Sequence, residues 1–558
     1  MIRPIDLLRE GRSEELWQMC CGFIDLSLDQ FMAMQKRLLL EQIEALKNCQ
    51  LGRKVMRGAQ PTTVEEFREQ VPLTTYSDYL PELGERREDV LPAKPVMWVR
   101  TSGHSGKYDV KWVPMTENFL REFQKVATGV AFFTMCNHRG DLSKVKEHLK
   151  ILYTVGPREY GSGLCVWLTQ AALNYDLLPS DSKGMSFAEK IQAGFKEALY
   201  CGLDGFGGLS SVLVAVGEQL KHHSRNISLR SLLPYPRAFL RVAKARVKSR
   251  LARRPMLPKD LWSVKFIGGG GADCAIFAKR VEELWGRRPL EAYGSTEGGM
   301  CATQTWDYEG MTFIPNLNFF EFIPEREWFK SQLDPSYQPR TILLDEVRAG
   351  EVYEIVLTNF HGGIMTRYRI GDMVKIISLR NEKLNIDIPQ MMFHRRADEL
   401  IDITGFGRLT ERIIWEAIEN AGIPYVDWTA RKEVVEGKPV LHLYLETKDN
   451  FTVSEDTAVE LIYRELLKLD DVYHYNCYRP YYGSLEGVLG IKPLKITYLP
   501  QGAFANYIMQ KQSEGAPLGH LKPPHVNPSE EVLSLLRAPQ LVRPAVRLEA
   551  ERERVEAR

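Results

Sequence analysis

The sequence predicts an α/β protein. A large multi-layer N-terminal domain, including an antiparallel barrel-like subdomain, precedes a smaller, mobile α/β C-terminal domain. Three observations carry this. Leu261–Ile267 reads as a strand, Gly268–Gly271 as a turn, Cys274–Trp285 as a helix and Leu290–Tyr293 as a strand, the rhythm of an α/β layer. After Gly310 the pattern changes to short strand-like runs parted by turns: Asn318–Pro324, Gly350–Leu357, Thr366–Ile370 and Asp372–Ser378. After Arg395-Arg396-Ala397-Asp398 a fresh α/β pattern begins, with a helix over Thr410–Asn420 and a strand over Val440–Thr447. These shifts place the domains at 1–395 and 396–528, followed by a charged tail at 529–558.

In chain order, Ser13–Lys47 reads as two helical segments joined near Gly22, with Leu38, Leu39, Ile43 and Leu46 on one apolar stripe. Gly52–Ala59 is basic and turn-like. Thr62 and Thr63 cap a short helix beginning Val64-Glu65-Glu66-Phe67, whose first turn is acidic. Pro95–Arg100 reads as a strand. A helix follows from Thr116 to about Thr128, and Val130–Phe133 reads as a strand. Ser186–Leu199, Ser211–His223 and Pro236–Ala245 read as helices, and the basic run Lys244–Arg254 as a solvated face or loop. Glu530–Leu536 has helical spacing.

The 558 residues are 44% hydrophobic, enough for a large core and more than one domain. Lysine and arginine number 73 against 72 acidic residues, so no overall field points to nucleic acid or an anionic membrane. The nine cysteines are scattered with no C-x-x-C pair, as in a reducing, cytoplasmic setting. The charged N-terminus lacks a signal-type apolar core, and no apolar run is long enough to span a bilayer. Neither zinc-ligand spacing nor a G-x-S-x-G elbow is present.

Four polar islands carry the chemistry. Thr101-Ser102-Gly103-His104-Ser105-Gly106-Lys107, with Lys111 beyond it, follows a strand and combines small residues, hydroxyls and positive charge. That is what a loop around a phosphate chain requires, although the spacing is not G-x-x-x-x-G-K-[S/T]. Tyr293-Gly294-Ser295-Thr296-Glu297 can set an aromatic ring against a base, with Thr296 and Glu297 toward phosphate and Mg²⁺. Asp372, after Gly371, can accept hydrogen bonds from ribose hydroxyls. Arg395 and Arg396 stand at the domain junction, where an arginine can bridge ribose and phosphate and small residues permit rotation. Each island alone reads as readily as an ordinary surface turn.

In this order, Thr101–Gly106, Tyr293–Glu297 and Tyr368–Asp372 resemble the phosphate loop, Tyr-Gly-x-Thr-Glu turn and Tyr-x-x-Gly-Asp strand end of the adenylate-forming enzymes. Within that superfamily the chain is most similar to the Gretchen Hagen (GH3)-type acyl acid–amido synthetases. Phe67–Leu73 with Tyr76 and Tyr79, Phe320–Pro324, Tyr353–Thr358 and the late segment from Gly502 to Pro524 extend the resemblance over about residues 15–527. His104 stands where threonine is usual, and Gly363–Thr366 replaces the usual Gly-Leu-Tyr stretch.

The resemblance implies ATP-dependent, Mg²⁺-assisted formation of an acyl-adenylate, then transfer of the acyl group to an amine, usually of an amino acid. Thr101, Ser102, Gly103, Ser105 and Gly106 would cradle phosphates with Lys107 or Lys111. Tyr293, Gly294, Ser295 and Thr296 would line the nucleotide, Glu297 would hold the metal, Asp372 the ribose, and Lys522 would close over the reaction. Tyr160, Trp167, Phe206 and Phe319 are candidate lining for the acid, read as apolar or aromatic. Two rivals stand beside it: a coenzyme A or carrier-protein ligase using the same adenylate, and a noncatalytic binding protein of the same fold.

Overall fold

The computed structural model describes residues 3–538 apart from 102–110, 155–157, 184, 186, 224–228, 271–273, 335, 398–399, 403–407, 436–437, 449–452, 473–493 and 515–522. It divides into two compact units, Met1–His394 and Arg395–Arg558.

The first unit is built on one mixed sheet. Its strands are β3 (Lys150–Thr154), β4 (Asp176–Leu178), β5 (Gly205–Leu209), β6 (Phe266–Gly270), β7 (Leu290–Ser295), β8 (Gly299–Thr303), β9 (Met311–Phe313), β10 (Asn318–Pro324), β11 (Val352–Asn359), β12 (Tyr368–Ser378) and β13 (Gln390–Arg396). A separate hairpin pairs β1 (Pro95–Arg100) with β2 (Trp112–Thr116). The eleven strands run in the order β10-β11-β12-β13-β9-β8-β7-β6-β5-β3-β4. From β4 to β7 the pairings are parallel, and β7 turns into β8 as an antiparallel hairpin. The sheet therefore changes character at β7, the kind of strand whose carboxyl end carries ligands in α/β proteins.

The expected barrel-like subdomain is not a closed ladder. Its antiparallel strands belong to the same sheet as the parallel ones, and β10 is an edge strand. The sheet nevertheless curls steeply. β7 and β12 are four strands apart in the order, about 19 Å in a flat sheet, yet Tyr293 on β7 donates a 2.6 Å hydrogen bond to Asp372 on β12. The curl is completed by side chains, as described below.

Several local expectations change for physical reasons. Val130–Phe133 continues the helix Glu117–Met135 instead of forming a strand. Phe119, Phe123, Val126, Phe132 and Phe133 are buried there at helical spacing, a stripe that outlasts the β-branched and aromatic local bias. Gly52 lies in a short helix, Gln50–Val55, which Cys49 caps through its sulfur. The strand placed at Leu261–Ile267 instead spans Phe266–Gly270, so the glycines are strand residues. At Gly205 a Cβ would come within 2.1 Å of the Phe266 ring, so the sheet needs glycine there.

In the second unit, β14 (Leu400–Asp402) pairs with β15 (Arg408–Thr410), and β16 (Tyr425–Val435), β17 (Lys438–Thr447) and β18 (Leu494–Tyr498) form a three-stranded sheet. Leu441, Leu443, Leu445, Leu494 and Ile496 on one face pack with the helices Glu411–Asn420 and Glu455–Val472. The boundary drawn at 528 needs correction. The helix Glu530–Arg537 is part of this unit, burying Leu533 and Leu536 with Leu499, Phe504 and Tyr507. Leu536→Ala is expected to cost about 3 kcal/mol, measured as a lower midpoint in chemical denaturation; an unchanged midpoint would make this helix a mere tail.

Candidate functional site

The β1–β2 hairpin presents the first island. Its loop residues Ser102, Gly103, Ser105, Gly106 and Lys107 lie outside the described residues, but the neck is defined. Thr101 N donates to Lys111 O at 3.0 Å, and Lys111 N donates to Thr101 Oγ1 at 3.3 Å. A closed neck directs Lys111 inward. Its Nζ donates to the Tyr368 hydroxyl at 3.1 Å and lies 3.5 Å from Glu297 Oε1, and Tyr368 donates to the same oxygen at 3.2 Å. The ammonium also lies 5.9 Å from the Tyr76 ring centroid, within cation–π reach. Tyr76 is tied to the hairpin, accepting from Trp112 N at 2.6 Å. Three separate islands therefore meet at Lys111, Glu297 and Tyr368.

The second island is the β7–β8 turn. Gly298 N donates to Ser295 Oγ at 2.9 Å, a side-chain closure that shapes the turn around Thr296 and Glu297. Gly161 opens the helix Gly161–Leu173 against it, and a Cβ there would lie 2.9 Å from Thr296 Oγ1. Tyr293 stacks on Phe393 at 6.2 Å between centroids while its hydroxyl reaches Asp372. Gly294 and Ser295 end β7 and pair with Met300 and Gly299.

The third island is a bulge rather than a strand end. β12 runs unbroken through Asp372, but its register against β11 slips: Glu354 faces Met373 while Val356 faces Arg369. Gly371 has φ +79°, a left-handed conformation suited to glycine, and the bulge turns Asp372 toward Tyr293. Just upstream, Arg367 has φ +45°. It is held there by Glu321 at 2.7 and 2.9 Å and by the Arg68 and Val71 carbonyls, both at 2.5 Å. Thr74 adds backbone bonds to Arg367 and Arg369, so the Phe67–Tyr79 region supports the start of β12.

The sequence reading missed the residues that hold the turn. Asn318 and Asn359 face each other across β10 and β11 and are bonded at 2.9 Å. Asn359 Nδ2 donates to Glu297 O at 2.9 Å, and Asn318 Nδ2 donates to Gly298 O at 2.7 Å. Buried Gln35 donates to Asn318 O at 2.5 Å and accepts from Phe320 N, covering the edge of β10. Two asparagines opening and closing antiparallel strands were the available signal, and no local rule separates them from turn residues.

Glu297 and Asp372 are 5% and 6% exposed. Cys301 lies between them in the fold, and burial, with these two carboxylates adding to it, holds its thiol well above the usual range. It is a protonated packing group, not a nucleophile. No three histidine, cysteine or carboxylate groups cluster as a metal site among the described residues. Glu297 is instead a single carboxylate beside the neck of the β1–β2 hairpin, and a lone carboxylate fits Mg²⁺, which takes one or two carboxylates together with phosphate oxygens.

Of the candidate acid-lining residues, Phe206 and Phe319 are core side chains, 1% and 0% exposed. Tyr160 lies under the Arg100 guanidinium at 4.7 Å, and Trp167 is exposed beside Arg158. Arg395 and Arg396 end β13, and their side chains lie outside the described residues, as does Lys522.

The segment just after Lys522 is anchored within the second unit. His525 O accepts from Ala430 N at 2.7 Å, and the His525 ring stacks on Trp428 at 4.7 Å. Its nitrogens bond Glu411 at 2.5 Å and Asp427 at 2.8 Å. Burial opposes the imidazolium, but Asp427 and Glu411 outweigh it and raise the pKa to about 9.

Residues 21–203 match the model of the GH3 family N-terminal domain and residues 311–396 that of the GH3 family central domain. The chain therefore carries two GH3-family domains. It is 27% identical over 267 residues to a 4-substituted benzoates-glutamate ligase of Arabidopsis thaliana, 44% of this chain and 42% of that protein. Over 171 residues it is 34% identical to a jasmonoyl-L-amino acid synthetase of Nicotiana attenuata, 28% of this chain and 27% of that one. These matches span less than half the length of the curated relatives. The structure of a GH3 acyl acid amido synthetase in complex with 2,4-DB aligns over 96% of this chain and 97% of its own, with TM-score 0.66 and 18% identity, so the fold is shared. A 2-hydroxyisobutyryl-CoA ligase structure aligns over 85% and 87%, with TM-score 0.54 and 15% identity.

Two outcomes follow. Asn359→Ala strands the buried Glu297 carbonyl and is expected to cost about 2 kcal/mol in chemical denaturation; a variant as stable as the parent would remove this pair from the account. For His525, a folded pKa above the ordinary 6.5 means its stabilisation is complete below the unfolded value and is lost as pH rises through about 9. The stability gap between wild type and His525→Gln should therefore be constant below pH 6 and close above pH 9, and a pH-independent gap would contradict the ion-paired imidazolium.

Proposed function

We propose that this GH3 chain is an ATP-dependent acyl acid–amido synthetase. The observation that carries the reading is the meeting of Lys111, Glu297 and Tyr368 beside the Tyr293–Asp372 pair. A lysine of the hairpin and two carboxylates of the curled sheet, one suited to a metal and one to ribose hydroxyls, are thereby brought together.

In the first step a carboxylate oxygen of the acid attacks the α-phosphorus of ATP, the bond to the β-phosphate oxygen breaks, and pyrophosphate leaves. Positioning and charge stabilisation are the main needs at phosphorus. Lys111, directed by the hairpin neck, neutralises charge on the departing phosphates, with Lys107 as the other cation of the same loop. Thr101 and the loop residues Ser102, Gly103, Ser105 and Gly106 donate to phosphate oxygens. Asp372 accepts from the ribose, and Tyr293, Gly294, Ser295 and Thr296 line the nucleotide. Glu297 would hold Mg²⁺, which when bound neutralises phosphate charge. In the second step the acceptor nitrogen attacks the acyl carbonyl, the bond to AMP breaks, and the nitrogen loses a proton to give the amide.

The relatives' names support a carboxylic acid and an amino acid as substrates. A large domain over 1–395, a smaller one that begins at 396 and runs past 528 through the helix Glu530–Arg537, the mobility of the smaller domain as a lid carrying Lys522, contacts from Arg395 and Arg396 to the nucleotide, and a cytoplasmic setting belong to the same proposal. No helix among the described residues is long and apolar enough to cross a membrane.

Acid-dependent ATP–pyrophosphate exchange across a carboxylate library, followed by product mass with amino acids or coenzyme A, tests the reading. An amide product is expected, with Glu297→Ala and Lys522→Ala each lowering exchange about a hundredfold. A thioester would replace the acceptor, unaltered exchange in both variants would refute the site, and no exchange with any acid would favour a binding protein.

A further inference from the structure

The second unit's three-stranded sheet has two unlike faces. One is the apolar core already described. The other carries a row of basic side chains in register: Arg431 on β16 faces His442 on β17, which faces Lys495 on β18. In the next row Tyr444 faces Thr497. The helix Glu530–Arg537 walls this face and lays the Arg537 guanidinium over the Tyr444 ring at 4.7 Å. Together these residues line an open cavity of about 670 Å³, the size range of small-molecule sites.

The floor is built to one geometry. His442, 3% exposed, bonds Glu433 Oε2 at 2.6 Å through Nδ1 and Thr497 Oγ1 at 2.8 Å through Nε2, and stacks on Tyr444 at 4.1 Å. Tyr444 donates to the other Glu433 oxygen at 2.5 Å. Burial opposes ionisation of Glu433, but His442, Tyr444 and Arg431 outweigh it and hold its pKa down to about 2. Its negative charge is thus spent within the floor. Glu530 pairs with Arg431 at 2.6 Å and only loosely with Arg537, at 3.6 Å, while Arg537 also lies 3.9 Å from Glu433 and donates to the Tyr444 hydroxyl. Lys495 is exposed and forms no ion pair with a described residue. Burial pushes the His442 pKa down, Glu433 opposes this, and Lys495 and Arg537 lower it further. Four cations, Arg431, Lys432, Lys495 and Arg537, line the cavity against one carboxylate, Glu433, so positive charge is in excess.

We propose that this cavity is an anion site that takes a small phosphate-bearing molecule with two or more negative charges, held between Lys495 and Arg537 over the His442–Tyr444 floor. Guanidinium and ammonium groups lining one cavity match spread phosphate oxygens. Tyr444 has His442 stacked on its ring and Arg537 over it, so recognition is by charge and hydrogen bonding rather than by stacking a base. The cavity shares no lining residue with those assigned to adenylation, and the proposal does not depend on that assignment.

The test is isothermal titration of the full chain with inorganic pyrophosphate, AMP and citrate, in wild type, Lys495→Ala and Lys495→Arg. Glu297→Ala serves as a parallel background that weakens any phosphate binding at the other site. Lys495 makes no ion pair among the described residues, so Lys495→Ala should keep the wild-type melting midpoint. The proposal expects pyrophosphate binding in the Glu297→Ala background, weakened about tenfold by Lys495→Ala, retained by Lys495→Arg and weakened by salt. AMP binding as tightly as pyrophosphate would make the ligand a nucleotide phosphate within the proposed class. Citrate binding preferentially, no pyrophosphate binding in the Glu297→Ala background, or equal affinity in Lys495→Ala, would overturn it. Loss of acid-dependent exchange bears only on the other site.

Discussion

The Asn318–Asn359 pair is the contact on which the first unit's chemistry depends. A mixed sheet of eleven strands left open at β10 would hold the β7–β8 turn and β12 far apart. The two asparagines instead reach from the edge pair β10–β11 to the carbonyls of Glu297 and Gly298. The curl is thereby completed by side-chain hydrogen bonds in the interior, where leaving them unmade is costly. Four of the groups proposed to act on the nucleotide are gathered at that seam. Lys111 enters from the hairpin, Glu297 from the turn, Tyr368 from the start of β12, and Asp372 from the bulge beyond it.

This arrangement explains why a turn rich in small residues can carry a carboxylate rigidly. The Glu297 backbone is held by Asn359, and its side chain meets Tyr368 and Lys111. Arg367, with its left-handed backbone, sits on a buried pair with Glu321. A buried pair of this kind adds little net stability against an apolar substitute, but breaking one partner is expensive. Its service is positional, fixing the residue before Tyr368 and tying β12 to the Phe67–Tyr79 region.

Much of this was legible in the sequence because it is local. Thr63 capping its helix, the helix Cys274–Trp285 and the strand Asn318–Pro324 follow from caps, period and turn residues. The polar islands stood out as small-residue turns after strands, and Glu297 and Asp372 were named from them. What was illegible is what depends on distant partners. Val130–Phe133 looked like a strand until its neighbours supplied a helical face to bury. Gly371 looked like a strand end because a bulge is defined against the opposing strand. Asn318 and Asn359 are ordinary strand-end asparagines in one dimension, and only the curl gives them the Glu297 turn to hold. The basic row Arg431, His442 and Lys495 is likewise spread over three strands and has no sequence signature.

The central claim is that one nucleotide is held across the seam, with its ribose at Asp372 and its phosphates at the β1–β2 hairpin. An experimental structure of the chain with a non-hydrolysable ATP analogue tests it most directly. The account predicts ribose hydroxyls on Asp372 and the β- and γ-phosphates within hydrogen-bond reach of the Thr101–Lys111 segment. An analogue bound away from Asp372 and Glu297, with the Lys111–Glu297–Tyr368 contacts untouched, would contradict it.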